Sequence, residues 1–395
     1  TDNDSGERAD QGRGNHDLLT FHGERDAPEP LTKVMQRRFV DGDAAPPDDF
    51  AYAREHATVY IPPAPEGHKG SVEVEDVAEP ENSGYQKLTF AVDYPGGIHL
   101  PGQEADRRPP RQIVAEVDSQ IEVSAYRPPW SNVAYYPRPT PDPGQPELMR
   151  RIGGRATRPL YVFGGDNRLS YTDSSWPWGL VGKIFNSNGK VGSGALIGPR
   201  LVATAGHMVP WGGGSWWMKF VPAYHNGSSL HGAGVESYVS SARGYDVDGD
   251  VTGYDWAVLR LYQPLGSWLG YFGYNGFSSS WEDDPYWTIL GYPSAVASGQ
   301  RPSYQMGISV FDIDSDSNGG KELETKADLT PGNSGGPMFA WWSGDPRLVG
   351  VVSGQEEDWS PGFWPWEWGD LEKGNVVAGG AGFTNLMAWG RTNWP

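Results

Sequence analysis

The stretch Asp328-Leu329-Thr330-Pro331-Gly332-Asn333-Ser334-Gly335-Gly336-Pro337 restricts this chain more than any other. A serine flanked by glycines is held on a tight turn, because glycine accepts backbone angles that other side chains forbid. Such a turn exposes the Ser334 hydroxyl and aims the amides of Gly332 and Ser334 at one point. Two converging amides can hold the oxyanion of a tetrahedral acyl-transfer intermediate. Taken alone, the motif also fits a glycine-rich hairpin with an incidental serine.

Two further motifs narrow the choice. Gly194-Ala195-Leu196-Ile197-Gly198-Pro199-Arg200-Leu201-Val202-Ala203-Thr204-Ala205-Gly206-His207 reads as two short apolar strands joined by a Gly-Pro turn, with a histidine just past the second. Tyr254-Asp255-Trp256-Ala257-Val258-Leu259-Arg260-Leu261 places an aspartate at the mouth of a buried strand. Singly, His207 fits a core histidine and Asp255 a turn or cap residue. Together with Ser334 they supply what nucleophilic catalysis requires: a base to take the serine proton, and a carboxylate to fix the tautomer of that base.

These residues resemble the chymotrypsin-like serine proteases, and within them the bacterial glutamyl endopeptidases. The likeness runs from about Tyr161 to the C-terminus. It includes Val162-Phe163-Gly164-Gly165-Asp166-Asn167-Arg168, which looks like the mature N-terminus of that branch, and Gly291-Tyr292-Pro293 besides the three motifs above. The resemblance implies an all-β fold of two packed antiparallel six-stranded β-barrels with a short C-terminal helix over residues 161–395. It implies His207 as general base, Asp255 as its orienting carboxylate, Ser334 as nucleophile, and the Gly332 and Ser334 amides as oxyanion hole. The expected substrate is a polypeptide, and neither cofactor nor metal is required. A different class of function remains open, an idle protease fold that binds through a tryptophan-rich rim at Trp359 to Trp368.

The pocket positions depart from that branch. Its members hold a substrate carboxylate with a threonine five residues before the serine and a histidine on a later strand; here those positions are Leu329 and Val352. Apolar side chains do not compensate the desolvation of a carboxylate, so a glutamate preference is not expected. Asp328 aligns with the pocket-base aspartate of trypsin, which would select arginine or lysine. A hydrophobic or a basic residue before the scissile bond is the expectation. Ser353 and Gly354 are expected to pair with the extended substrate as an added strand.

Composition sets the remaining bounds. The formal net charge of −19 and the pI of about 4.8 argue against nucleic acid or an anionic membrane as partner. The absence of cysteine excludes disulfides, although secreted proteases of this kind often carry them; Met208 stands where many relatives have a cysteine. Stability must then come from packing, for which 18 tryptophans are available. No apolar run approaches the roughly 20 residues that span a bilayer. The sequence starts at Thr1 with neither methionine nor an apolar signal core, so a removed or trimmed targeting peptide is expected; a secreted location and a monomer are the accompanying expectations.

Residues 1–160 form a proline-rich N-terminal segment without recognisable chemistry, expected to be a propeptide or an accessory piece. Residues 1–50 read as loosely attached. Short strand-like runs follow, His56 to Ile61, Lys87 to Val92 and Ile113 to Val117, and then an extended linker from Arg127 to Met149. Arg150, Arg151, Arg155 and Arg158 mark a processing region. Because Asn333 stands where trypsin-type zymogens carry an aspartate that pairs with a new terminal amine, cleavage here is expected to act by uncovering the site. His225 and His231 are expected to face solvent. Asp312 to Gly319 follows the start of a calcium loop but lacks its final glutamate, so a solvated tip is the expectation there and at Asp246 to Asp250.

Overall fold

Short runs of apolar and β-branched residues between glycine- and proline-bearing turns build two rings of strands. The computed structural model describes residues 19–20, 26–55, 59–61, 86–88, 102–107, 121–138, 162–163, 165–212, 215–247, 251–360 and 370–395. The first ring comprises β1 (Val181–Asn186), β2 (Val191–Gly198), β3 (Leu201–Thr204), β4 (Met218–Pro222), β5 (Ser237–Gly244) and β6 (Ala257–Leu261). Around it the order is β4-β1-β2-β3-β6-β5, and β5 returns to β4, so no edge is left open. The Gly-Pro turn works as the sequence indicates, with Gly198 facing Leu201 across it.

The second ring comprises β7 (Trp287–Gly291), β8 in two halves (Ser303–Ile308 and Val310–Ser315), β9 (Lys321–Thr325), β10 (Pro337–Trp342), β11 (Asp345–Ser360) and β12 (Asp370–Gly379). One half of β8 pairs with β7 and the other with β9, so the bend at Ser309 closes the ring through β12, β11 and β10. The expected pair of six-stranded barrels is therefore present.

Aromatic packing takes the place of cross-links. Trp178, Trp256, Trp281, Trp287 and Trp341 are fully buried. Burial of rings this large is worth on the order of 3 kcal/mol each, comparable with the roughly 2–4 kcal/mol of a disulfide. One apolar cluster runs from Ile184 and Val202 of the first barrel to Leu290, Phe339 and Val351 of the second, joining the two without a gap.

The expected C-terminal helix is α2 (Ala381–Asn393). At its N-terminus Gly380, at φ 93°, makes the turn without a side-chain cap. Leu386 is buried, and Trp389 lies under Arg243, 4.0 Å from ring centre to guanidinium carbon.

Parts of the N-terminal segment are built into this body. Helix α1 (Asp48–Glu55) buries Phe50 and Ala53, and the Trp268 indole donates to Asp49 Oδ2 at 2.9 Å. Ile121–Val123 pairs antiparallel with Gly273–Asn275, which itself pairs with β11. The predicted linker does not hold over residues 127–138. Val133 and Ala134 are buried, Val133 bridges Val40 and Trp176, and the Trp130 indole donates to Trp268 O at 2.9 Å. Prolines there suit an extended backbone that packs through its few apolar side chains. Glu104–Asp106 lies parallel to β5, and Arg243 pairs with both of its carboxylates at 3.2 Å. The runs at Ile113 to Val117, the cluster Arg150 to Arg158 and most of residues 1–25 lie outside the described residues.

His231 does not simply face solvent. Its Nε2 lies 3.0 Å from Gly179 O, and Arg54 Nε donates to its backbone carbonyl at 3.0 Å. Burial holds its pKa down at about 4; the Gly179 carbonyl opposes that and the Arg54 charge adds to it. His225 is half-buried, its pKa lowered by burial and by Arg301.

Candidate active site

The three motifs meet where the barrels join. Strands β3 and β6 are antiparallel neighbours with Thr204 opposite Ala257, so the end of one and the start of the other lie side by side. His207, in the turn after β3, thereby reaches Asp255, just before β6. His207 Nδ1 lies 2.7 Å from Asp255 Oδ2, and the His207 amide donates to Asp255 Oδ1 at 2.9 Å. Ser353 Oγ donates to the same Oδ2 at 2.6 Å. A carboxylate with only 1% exposure would ordinarily be a liability. Burial alone would raise its pKa, but the charge and hydrogen bonds of His207 and the Ser353 hydroxyl outweigh burial and hold it below the usual carboxylate value.

The turns carrying this pair are fixed from behind. Asn186 Nδ2 donates to Met208 O at 2.7 Å, and the Trp211 indole donates to Gly206 O at 2.9 Å. On the aspartate side, the Gly253 amide is shared by Asp316 Oδ2 at 3.0 Å and Glu322 Oε1 at 3.1 Å. Trp211 braces the loop that carries His207, and Asp316, expected in a solvated tip, braces the loop that carries Asp255.

The Ser334 turn is stitched to both barrels. Ser193 of β2 donates its amide to Ser334 O at 2.8 Å and its hydroxyl to Gly332 O at 2.7 Å. Its hydroxyl also accepts from the Tyr292 amide at 2.9 Å. Gly335 N donates to Val352 O and Val352 N to Gly336 O, both at 2.8 Å, which sets the turn one residue from Ser353. Gly332 adopts φ 103° and Gly335 φ 79°, conformations glycine accepts without strain. A side chain at Gly335 would also strike Ser193 O and Thr204 Oγ1.

Peptide planarity then sets the two candidate oxyanion amides. Pro331 O accepts from Ser294 N at 2.9 Å, so the Gly332 N–H in the same trans peptide points the opposite way. Asn333 O accepts from Gly336 N at 2.7 Å, which directs the Ser334 N–H likewise. Among the described residues, neither amide has a protein acceptor.

The pocket residues fall into two groups. Leu329 and Val352 are both buried in the second barrel's core with Trp287 and Val377. Asp328 has partners that a pocket-base aspartate would not be expected to have: it is 1% exposed, accepts from Phe163 N and Asn167 N at 2.8 Å each, and contacts Gln305 Nε2 at 3.4 Å. A carboxylate saturated by amides of its own chain is not presented to a substrate cation. Ser353 contributes its side chain to Asp255 as well as its strand position, and Gly354 follows it on β11. The side chains of the aromatic rim lie outside the described residues.

Away from the cleft, Asp312, Asp314 and Glu324 bring carboxylate oxygens within 4.8 Å of one another across the β8–β9 ladder, a grouping that could hold a cation. Glu324 enters from the facing strand, outside the stretch Asp312 to Gly319 that carries the local calcium-loop pattern.

The two-barrel fold defines a class, and the sequence agrees: residues 166–364, half of the chain, match the family model described as Trypsin. The chain belongs to that family. A glutamyl endopeptidase of Bacillus licheniformis is 30% identical over 195 residues, covering 49% of this chain and 58% of the relative. Among solved structures, a Glu endopeptidase in complex with MPD is 20% identical with a TM-score of 0.44, covering 59% of this chain and 100% of the other. The protease Anisep from Arthrobacter nicotinovorans is 22% identical with a TM-score of 0.37, covering 53% and 93%. Among the described residues, no helix is long and apolar enough to cross a membrane.

Proposed function

We propose that this protein is a secreted serine endopeptidase that hydrolyses polypeptides through an acyl-enzyme. Ser334 attacks the scissile carbonyl, His207 takes its proton and returns it to the leaving amine, and Asp255 holds the imidazole. The Gly332 and Ser334 amides receive the developing oxyanion. The observation that carries this reading is the His207 Nδ1 to Asp255 Oδ2 contact at 2.7 Å, backed by the Ser353 hydroxyl at 2.6 Å. Donation from Nδ1 leaves Nε2 as the acceptor, which is the tautomer a general base needs.

For specificity, Leu329 and Val352 turn into the barrel core and Asp328 is held by amides of its own chain, so these positions offer a basic or an acidic side chain no partner, which favours an apolar residue before the scissile bond. Burying a glutamate there without a donor costs about 2 kcal/mol or more, roughly a 30-fold loss. Digestion of a peptide library, read by mass spectrometry, is expected to show cuts after Leu and Phe, with glutamate sites at least about tenfold slower. A glutamate preference would overturn the pocket reading alone. Absence of both cleavage and labelling by a serine-directed phosphonate would overturn the enzyme and favour the idle binding module.

The packing of residues 26–55, 102–107 and 121–138 favours an accessory role that survives processing. A cut between Arg150 and Tyr161 is expected to give two chains that elute together on gel filtration, because α1 and Ile121–Val123 remain docked. Separation of the two pieces without denaturant would show a releasable propeptide instead.

A further inference from the structure

Arg168 lies at the end of the stretch that resembles a mature N-terminus, and its side chain is only 2% exposed. A buried guanidinium needs an anion, and Asp166 provides one through Nε at 2.9 Å and Nη2 at 2.5 Å. Burial alone would raise the Asp166 pKa, but the bonds and charge of Arg168 hold it below the ordinary value. That pair already satisfies the charge. Yet Nη1 reaches further, donating to Thr330 Oγ1 at 2.8 Å and to Asn333 Oδ1 at 3.0 Å. Asn333 Oδ1 also accepts from the Thr330 amide at 3.1 Å.

Asn333 sits between Gly332 and Ser334, so fixing its side chain fixes the backbone that sets the direction of both oxyanion amides. The other end of the same turn is tied to the same stretch, through Asp328 and the amides of Phe163 and Asn167. We infer that Arg168 is a positioning residue: from the Phe163–Arg168 stretch it clamps the Thr330–Ser334 turn into the conformation that stabilises the oxyanion. This rests on the reading of Ser334 as nucleophile. The clamp is a side chain, so shaping the turn requires no new chain terminus. That fits the neutral Asn333, which offers a terminal amine no carboxylate.

The test compares the full-length wild type with Arg168→Met, using active-site titration, kcat, KM and hydrogen exchange of residues 328–336. Displacement of a reacting group by about 1 Å costs about 100-fold in rate. Arg168→Met is therefore expected to lower kcat per titrated site about 100-fold, with KM within about threefold. A merely structural Arg168 would reduce the number of titratable sites and leave kcat per site unchanged, which would overturn the proposal. Hydrogen exchange decides independently of turnover: exchange of 328–336 is expected to quicken at least about tenfold, and unchanged exchange would sink the idea even if the wild type proved inactive. If Arg168→Met does not fold, Arg168→Lys and Thr330→Val are read by the same criteria. Lysine, lacking the planar fork, is expected to restore only part of the rate.

Discussion

Ser334→Ala is expected to remove peptide hydrolysis, by about four to six orders of magnitude in kcat, while the melting temperature stays within a few degrees. The three groups of a triad act as a unit, so losing the nucleophile costs nearly as much as losing all three. Structure should survive because the Ser334 backbone makes the contacts that matter: its carbonyl accepts from Ser193 N, and its neighbours Gly335 and Gly336 pair with Val352. None of these bonds uses the hydroxyl. Turnover within about tenfold of wild type, measured on mutant protein free of contaminating protease, would remove Ser334 from its role. Retained binding of a peptide substrate by the mutant is expected, since the strand offered by Ser353 and Gly354 is untouched.

What the sequence disclosed about this site was chemistry carried by short motifs. The turn around Ser334, the Gly-Pro hairpin ending at His207 and the aspartate before β6 each have a local signature, because glycine conformation and strand ends leave marks within a few residues. The β3–β6 pairing that joins His207 to Asp255 is long-range and left no local mark; that the two residues work together was implied by the resemblance.

The supports were not legible for a different reason. Ser193 and Asn186 are ordinary polar residues within strands, and Gln305 is one among many; only the folded register brings them to Gly332, Met208 and Asp328. Arg168 was visible within a recognised stretch, but its partners in the Ser334 turn, Thr330 and Asn333, lie more than 160 positions away and no local pattern names them. Asp328 misled because an aligned position gives a side chain's place in the chain and not its hydrogen-bond partners. The stretch 127–138 misled through composition: its prolines suggested a spacer, while Trp130, Val133 and Ala134 carry enough apolar surface to dock it.

Asp255→Asn is expected to lower kcat about 10⁴-fold with little change in the fold. The two side chains have the same shape, so the buried site can accept either. The difference lies in donors and acceptors. Asp255 accepts three hydrogen bonds, from the His207 amide and Ser353 hydroxyl and from the Nδ1 side of His207. Asparagine offers one oxygen and one donor group. If its oxygen keeps the His207 amide, its NH₂ faces Nδ1 and makes that nitrogen an acceptor, so the ring proton moves to Nε2. Nε2–H cannot take a proton from Ser334, and general-base catalysis stops. The pH dependence of stability supplies an independent check. Burial raises the Asp255 pKa, the interactions with His207 and Ser353 lower it further than burial raises it, and the native value is depressed. The native protein then binds this proton less readily than the unfolded chain does. The resulting stabilisation is present above the unfolded value of about 4 and is lost as pH falls through the lower native value. An asparagine side chain does not titrate, so the mutant's urea midpoint is expected to fall less steeply below about pH 4 than that of the wild type. Turnover of the mutant within about tenfold of wild type at neutral pH would show that Asp255 braces the fold without orienting His207.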